Sequence, residues 1–281
     1  MSEAENPLCT SCKRKPAVYK RTYSGELLCI DCLERSLEKA VRRSLGETGL
    51  LRPRTTLLVP ISLSATPQSL ALARLLANVE RRYGSRLIVA VPSLLSISFK
   101  LKNIINIKII NIKINYNDEL PRNPIECARL ERRWWLETAR QIGAQAIISP
   151  YTRTDLILIM LHAVLSGDSY ALSEALHKID WTQPPIISGF HRVEGEAILA
   201  YASLKQLLVE PVCIPDLSLS KLIFYSIAGR RPELEFSSSK SIDLLASPPE
   251  IGKCVLCGGY TRAGEPICKY CKNREITISI I

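Results

Sequence analysis

Four Cys-x-x-Cys pairs, two near each end, constrain this 281-residue chain more than any other feature: Cys9/Cys12 with Cys29/Cys32, and Cys254/Cys257 with Cys268/Cys271. Two-residue spacing lets one turn present two sulfurs to the same tetrahedral ion, so each set of four offers a closed four-thiolate site for one Zn2+. The two sites take eight of the ten cysteines. Nothing in Met1 to Pro7 reads as a secretion signal, and the reduced thiols of the cytosol favour metal over a disulfide framework. Four cysteines leave no open coordination position, so both zinc ions are expected to hold shape or touch a partner rather than do chemistry. Lobes this small need their ions to fold. The expected layout is a metal lobe over 1–34, a basic helix and linker over 35–54, a central domain over 55–236, a linker over 237–252 and a second metal lobe over 253–281.

The formal net charge is +10, which favours a polyanionic partner. Basic residues crowd the first lobe and its exit, at Lys13-Arg14-Lys15, Lys20-Arg21, Arg35 to Arg43, and Arg52 and Arg54. Such density suits contacts to nucleic-acid phosphates; a solvated basic face is the plainer reading. No uninterrupted apolar run reaches the roughly eighteen residues of a membrane span, so a cytoplasmic protein without a membrane partner is expected.

In the first lobe, Val18 to Thr22 and Glu26 to Cys29 flank a Tyr23-Ser24-Gly25 turn and read as a hairpin, followed by a helix over Leu33 to Leu45. From there apolar periodicity alternates: strand Thr55 to Ile61, helix Gln68 to Tyr83, strand Arg86 to Val91. That unit belongs to an α/β fold with a parallel sheet covered by helices. The Ile-, Asn- and Lys-rich stretch that follows reads as a helix from Ser93 to about Asn106 and a strand from Ile109 to Tyr116. Next come a helix over Cys127 to Ile142, a strand over Ala146 to Ser149 and a helix from about Thr154 to Leu165. Short strands near Ile186 to His191 and Leu207 to Pro211 and a helix over Ser218 to Ala228 complete the domain. Ser237-Ser238-Ser239 and Pro248-Pro249 mark a linker. Trp134 and Trp135, adjacent on a helix, are expected in the core, and Asp168 after Gly167 suits a cap or turn.

A four-cysteine lobe, an α/β domain and a second four-cysteine lobe, in that order, resemble the TtuA-type tRNA 2-thiouridine synthetases, which are PP-loop ATPases related to the cytosolic wobble-uridine thiolation proteins. The likeness runs through Tyr23-Ser24-Gly25-Glu26-Leu27-Leu28-Cys29, Arg132-Arg133-Trp134-Trp135-Leu136 with Ala139 and Gly143-Ala144, Val164-Leu165-Ser166-Gly167-Asp168, and the closing cysteine pairs. It implies a PP-loop, adenine-nucleotide-alpha-hydrolase-like central domain.

In working members of that family the first strand runs into a Ser-Gly-Gly-Lys-Asp-Ser loop, whose glycines let backbone amides approach the nucleotide phosphates. The matching stretch here is Ser64-Ala65-Thr66-Pro67-Gln68-Ser69. Both serines stay, both glycines have gained a Cβ, and the lysine has become Pro67, which offers neither charge nor N–H. Charge developing on the phosphates in adenylation thereby loses its cation. The resemblance maps a nucleotide cradle onto Ser64, Ala65, Thr66 and Ser69 and argues against ordinary ATP and Mg2+ chemistry in it. In Pro150-Tyr151-Thr152-Arg153-Thr154-Asp155-Leu156, which matches the family's acidic closing stretch, only Asp155 keeps its acid. For sulfur transfer the family holds a Cys-x-x-Cys before the Arg-Arg helix and another cysteine downstream, together able to carry an iron–sulfur cluster. This chain offers Cys127 alone in the first region and Ser237-Ser238-Ser239 downstream, while Cys213 falls on an expected strand, Val209 to Ile214, off the third position. An iron–sulfur cluster is not expected, and Cys127 reads as buried and inert.

These losses fall in three segments while both metal lobes are complete. The leading reading is a catalytically degenerate subunit of tRNA thiolation. It would dock tRNA through Arg14, Lys15, Lys20, Arg21, Arg42, Arg43, Arg132 and Arg133, paired with an active subunit or a second copy of itself. The enzyme alternative is an ATP-dependent tRNA sulfurtransferase in which Cys127 accepts sulfur as a persulfide and Asp155 serves the metal. A third reading is a zinc-scaffolded interaction protein with no tRNA role.

Overall fold

The computed structural model describes every residue except 1–6, 50–52, 82, 96, 98–100, 102–106, 117–118, 229–230, 232, 246–250, 273 and 275. In the N-terminal lobe, β1 (Tyr19–Lys20) and β2 (Leu27–Leu28) form the expected hairpin. It leads directly into α1 (Ile30–Gly46), whose first turn carries Cys32. Leu33, Leu37, Val41 and Leu45 recur every four residues and make one fully buried stripe. That stripe packs against the central domain, so α1 is part of the core rather than a connector.

The central domain follows the strand–helix alternation: β3 (Thr56–Pro60), α2 (Thr66–Glu80), β4 (Arg86–Pro92), β5 (Lys108–Tyr116), α3 (Pro124–Gln141), β6 (Ala146–Thr152) and α4 (Arg153–Leu165). A 3-10 segment, Ser169–Glu174, follows, then β7 (Lys178–Ile179), β8 (Ile186–Phe190), α5 (Gly195–Leu204), α6 (Ser218–Ala228) and α7 (Glu233–Leu245). The C-terminal lobe holds β9 (Ile251–Lys253), β10 (Tyr260–Arg262) and α8 (Lys269–Lys272), and the chain ends on β11 (Ile276–Ile280).

The resulting α/β sheet has seven strands in the order β11-β5-β4-β3-β6-β8-β7. Its five inner strands are parallel, and β7 and β11 run antiparallel at the two edges. Leu57 and Val59 enter the core beneath α1, α2 and α5, whereas Leu58 enters the core beneath α3 and α4. A strand buried on both faces needs such a continuous apolar run.

Several expectations change. Leu207 to Ile214 is not a strand: Pro211 and Pro215 supply no N–H to a ladder. Instead, the Val212 and Cys213 amides both donate to the Leu63 carbonyl, at 2.9 and 3.0 Å, which pins that segment beside the end of β3. The Ser237-Ser238-Ser239 triplet lies inside α7 rather than in a linker. The C-terminal lobe does not end apart from the core, because Ile276 to Ile280 pair with β5 from Tyr116 to Ile112. The helix expected from Ser93 to Asn106 falls largely outside the described residues.

Candidate functional site

Each cysteine quartet converges. In both sets the four sulfurs lie within 4.8 Å of one another, and the Cys12–Cys29 and Cys257–Cys268 sulfurs are each 3.8 Å apart. A tetrahedral ion with ligands at about 2.3 Å sets its sulfurs about 3.8 Å apart. Each quartet is therefore sized for one tetrahedral metal ion. Backbone amides of Arg14 and Lys15 lower the Cys12 thiol pKa, whereas that of Cys29 rises to about 11 because burial and its thiol neighbours outweigh the Cys32 amide.

The C-terminal quartet is fastened to the core by buried charge. Arg129 and Arg132, one turn apart on α3, both pair with Glu174 at the end of the 3-10 segment. All three side chains are at most 4% exposed. Arg129 also donates to the Tyr170 carbonyl and lies over the Tyr270 ring. Burial lowers the Arg132 pKa to about 10, which leaves it charged at neutral pH. Gly259 passes so close that a Cβ there would sit 2.9 Å from Arg129 Nε and Glu174 Oε1. Trp181 stacks on Tyr260 at 5.4 Å and donates to the Gly258 carbonyl. Asp168 caps the 3-10 segment through the Tyr170 amide and also accepts from Lys269 and Tyr270. Its role is thus both cap and anchor for the second metal lobe.

The loop between β3 and α2 is the stretch onto which the resemblance maps a nucleotide cradle. Its side chains bond the loop's own backbone. The Ser62 amide donates to Ser69 Oγ, which donates to the Ala65 carbonyl, and Thr66 Oγ1 donates to the Ser62 carbonyl. Ala65, Thr66 and Ser69 are buried, and Ser64 is half-buried. Into this loop α3 sends Glu131, a residue that sequence reasoning missed. Glu131 Oε1 accepts from Ser62 Oγ, the Ser64 amide and Ser64 Oγ at 2.8, 2.8 and 3.1 Å. Glu131 Oε2 accepts from Ser62 Oγ and Tyr151 Oη, both at 2.8 Å. Burial raises the Glu131 pKa against the lowering effect of these bonds.

Asp155, the other candidate acid, closes a capping box with Thr152. The Thr152 amide and hydroxyl both donate to Asp155 Oδ2, so this acid caps α4 rather than facing a metal. Cys127 is not a lone thiol: its sulfur is bonded to that of Cys213 at 2.08 Å, and both residues are buried. The bond joins the first turn of α3 to the segment pinned on Leu63.

The expected nucleic-acid contacts divide. Arg14, Lys15, Lys20 and Arg43 are exposed, and Arg42 is half-buried. Lys15 pairs with Asp31, and Arg21 is occupied by Glu26 and Ser36. Arg35, Lys39 and Arg42 line a groove of about 200 Å³ between α1 and α2, with Glu38, Asn78 and Tyr83. Arg132, in contrast, is committed to Glu174 inside the protein, and Arg133 donates to the Arg274 carbonyl. The Arg132–Arg133 pair therefore belongs to lobe docking, not to the basic face. Trp134 and Trp135 are both fully buried, as expected.

Among the described residues, no helix is long and apolar enough to cross a membrane. The sequence matches no family model and no curated protein. Among solved structures it is similar to the U34-tRNA thiolase NcsA from Methanococcus maripaludis with its [4Fe-4S] cluster, at 19% identity and a TM-score of 0.71, over 94% of each chain. Across almost its whole length, this chain has the fold of that thiolase.

Proposed function

We propose that this protein is a non-catalytic, tRNA-docking subunit of a tRNA-thiolation system, with a structural zinc in each cysteine quartet. One observation carries the non-catalytic half: the hydroxyls of the loop after β3 are bonded within the protein, to the loop's own backbone and to the Glu131 carboxyl group. Pro67 stands where a cation would be needed, and Cys127, which a persulfide route would require as a free thiol, is joined to Cys213. The tRNA half draws on the full-length likeness to a tRNA thiolase and on the exposed cations of the first lobe and α1. Zinc suits the sulfur spacing and the closed four-thiolate donor set.

This reading assigns no counterpart to the neighbour's cluster. Outside the quartets, the two remaining cysteines are bonded to each other. Inside them, sulfurs within 4.8 Å suit one ion, whereas a four-iron cluster spreads its thiolates over separate metal atoms. No step through such a cluster is derived for this chain.

In this reading Lys13, Arg14, Lys20, Arg35, Lys39 and Arg43 contact tRNA phosphates and release counterions. Measuring the affinity of transcribed tRNA at two salt concentrations tests it. Six phosphate contacts predict a log–log salt slope of roughly −4 to −5. Glutamate replacements at Lys20, Lys39 and Arg43 should flatten that slope and weaken binding. Binding that is absent or indifferent to salt removes the tRNA assignment.

A further inference from the structure

Helix α6 is apolar on the side it turns to water. Ser220 and Phe224 face inward and are buried, where α4 and α7 pack against the helix. By helical periodicity the opposite side is made of Ser218, Leu219, Leu222, Tyr225 and Ser226, all of them exposed. Leu222 is 69% exposed, Leu219 58% and Tyr225 46%. A surface helix ordinarily carries its charge there, whereas the one charged residue of α6, Lys221, lies at the margin of this stripe. The serine hydroxyls at its ends are already bonded, Ser218 to Asp216 and Ser226 to the Ile223 carbonyl, so covering them strands no donor. Apolar exposure continues around the stripe. Ile214 and Ile227 extend it along the chain, and Val164 and Leu165 end α4 near the start of α6, where His162 acts on Asp216. These fractional exposures add up to on the order of 800 Å² of apolar surface, above the largest patch of a typical monomer and close to what each partner gives to a standard interface.

The order of residues in the stripe identifies what covers it. Counted from Leu222, an apolar side chain stands three positions before and three after, as Leu219 and Tyr225, and a serine stands four before and four after, as Ser218 and Ser226. Two antiparallel copies of α6 related by a two-fold axis at Leu222 therefore set Leu222 on itself, Leu219 on Tyr225 and Ser218 on Ser226, the last two pairs each occurring twice. An isologous interface has this property, since the contact of one residue with another is repeated in reverse. No charge falls on the seam, and the serines let the helix axes approach to roughly 8–10 Å. We propose that a second copy of this chain covers the face, with α6 packed antiparallel on its counterpart about Leu222. The inference adds a self-association surface to the docking role and depends on neither tRNA nor the cysteine quartets.

The test is sedimentation velocity of the full-length, metal-loaded protein in the absence of tRNA. Wild type should sediment as a dimer at micromolar concentration. Leu222→Glu sets two carboxylates against each other at the axis and should sediment as a folded monomer, with the dissociation constant raised on the order of a hundredfold or more. Leu219→Glu should also separate the copies. Adding Tyr225→Lys to it should restore the dimer, because the two new charges meet across the axis and not within one helix. Under mild oxidation Leu222→Cys should cross-link to itself, whereas Ser226→Cys, whose two copies are about 12 Å apart along the axis, should not. A monomeric wild type overturns the proposal, and so does a dimer that survives Leu222→Glu or a charge pair that fails to restore it. Leu222-dependent binding of a different protein to a monomeric wild type would assign the face to that protein instead. Failure here with salt-dependent tRNA binding intact leaves the docking role standing, and a dimer that binds no tRNA leaves this surface standing.

Discussion

Replacing Glu174 by glutamine removes the one charge that two buried guanidinium groups share. Arg129 and Arg132 are 2% and 4% exposed at their side chains, and Glu174 is fully enclosed between them. Burial lowers the Arg132 pKa only to about 10, so shedding a proton does not relieve the imbalance at neutral pH. Breaking a buried pair by removing one partner costs about 3–5 kcal/mol, because the remaining charge is left uncompensated. At roughly 2–4 °C per kcal/mol for a chain of this size, the melting temperature should fall by roughly 6–20 °C. The loss should be localised first at the C-terminal lobe, since the same cluster meets Gly259 between the two cysteine pairs. Calorimetry gives the first number, and chromogenic capture of metal released below the melting transition gives the second. Apolar replacement of all three residues together should recover most of the loss. A melting temperature within about 2 °C of wild type, with metal retained, would refute the claim that this charge cluster holds the lobe.

Gly259→Ala drives a methyl group to 2.9 Å from Arg129 Nε and Glu174 Oε1. It should cost about 1–3 kcal/mol in denaturant unfolding, and no cost would show that the lobe has room to shift. Glu131 has an ordinary pKa of 4.5 that burial raises. The native state therefore keeps its proton to higher pH than the unfolded chain does, so the associated stability is full below pH 4.5 and is lost as pH rises through the raised value. Relative to Glu131→Gln, wild type should weaken over that window, and a pH-independent difference would contradict it. Metal analysis of the purified protein should find two zinc ions per chain. A strong chelator should lower the melting temperature and loosen both ends, whereas iron with sulfide in place of zinc would contradict the assignment of the quartets.

Much of this molecule was legible in its residues. The apolar runs Leu57-Leu58-Val59 and Leu87 to Val91 gave inner strands within a residue or two, because a strand covered on both faces cannot alternate. The cysteine spacings gave two convergent quartets. Local pattern failed where the deciding partner lies far away in sequence. Arg132 read as a free cation because Glu174 is distant along the chain, and Glu131 drew no notice because nothing local says that it meets Ser62 and Ser64. Cys127 looked solitary for the same reason, its partner Cys213 being 86 residues away. The serines of α7 suggested a linker, yet buried Ile242 and the Glu235 pairing with Arg153 seat that helix on the core. The alternation of Ile276, Ile278 and Ile280 was a usable signal for β11, the edge strand that ties the second lobe back to the sheet.

The central claim is that this chain docks tRNA without modifying it. The most direct measurement is nucleoside mass spectrometry on unmodified tRNA incubated with the purified protein, ATP, Mg2+ and a sulfide source, with bound tRNA quantified in the same samples. The account predicts tRNA retained on the protein and no thiolated uridine above the protein-free control. Repeated turnover to 2-thiouridine by wild-type protein alone would contradict it.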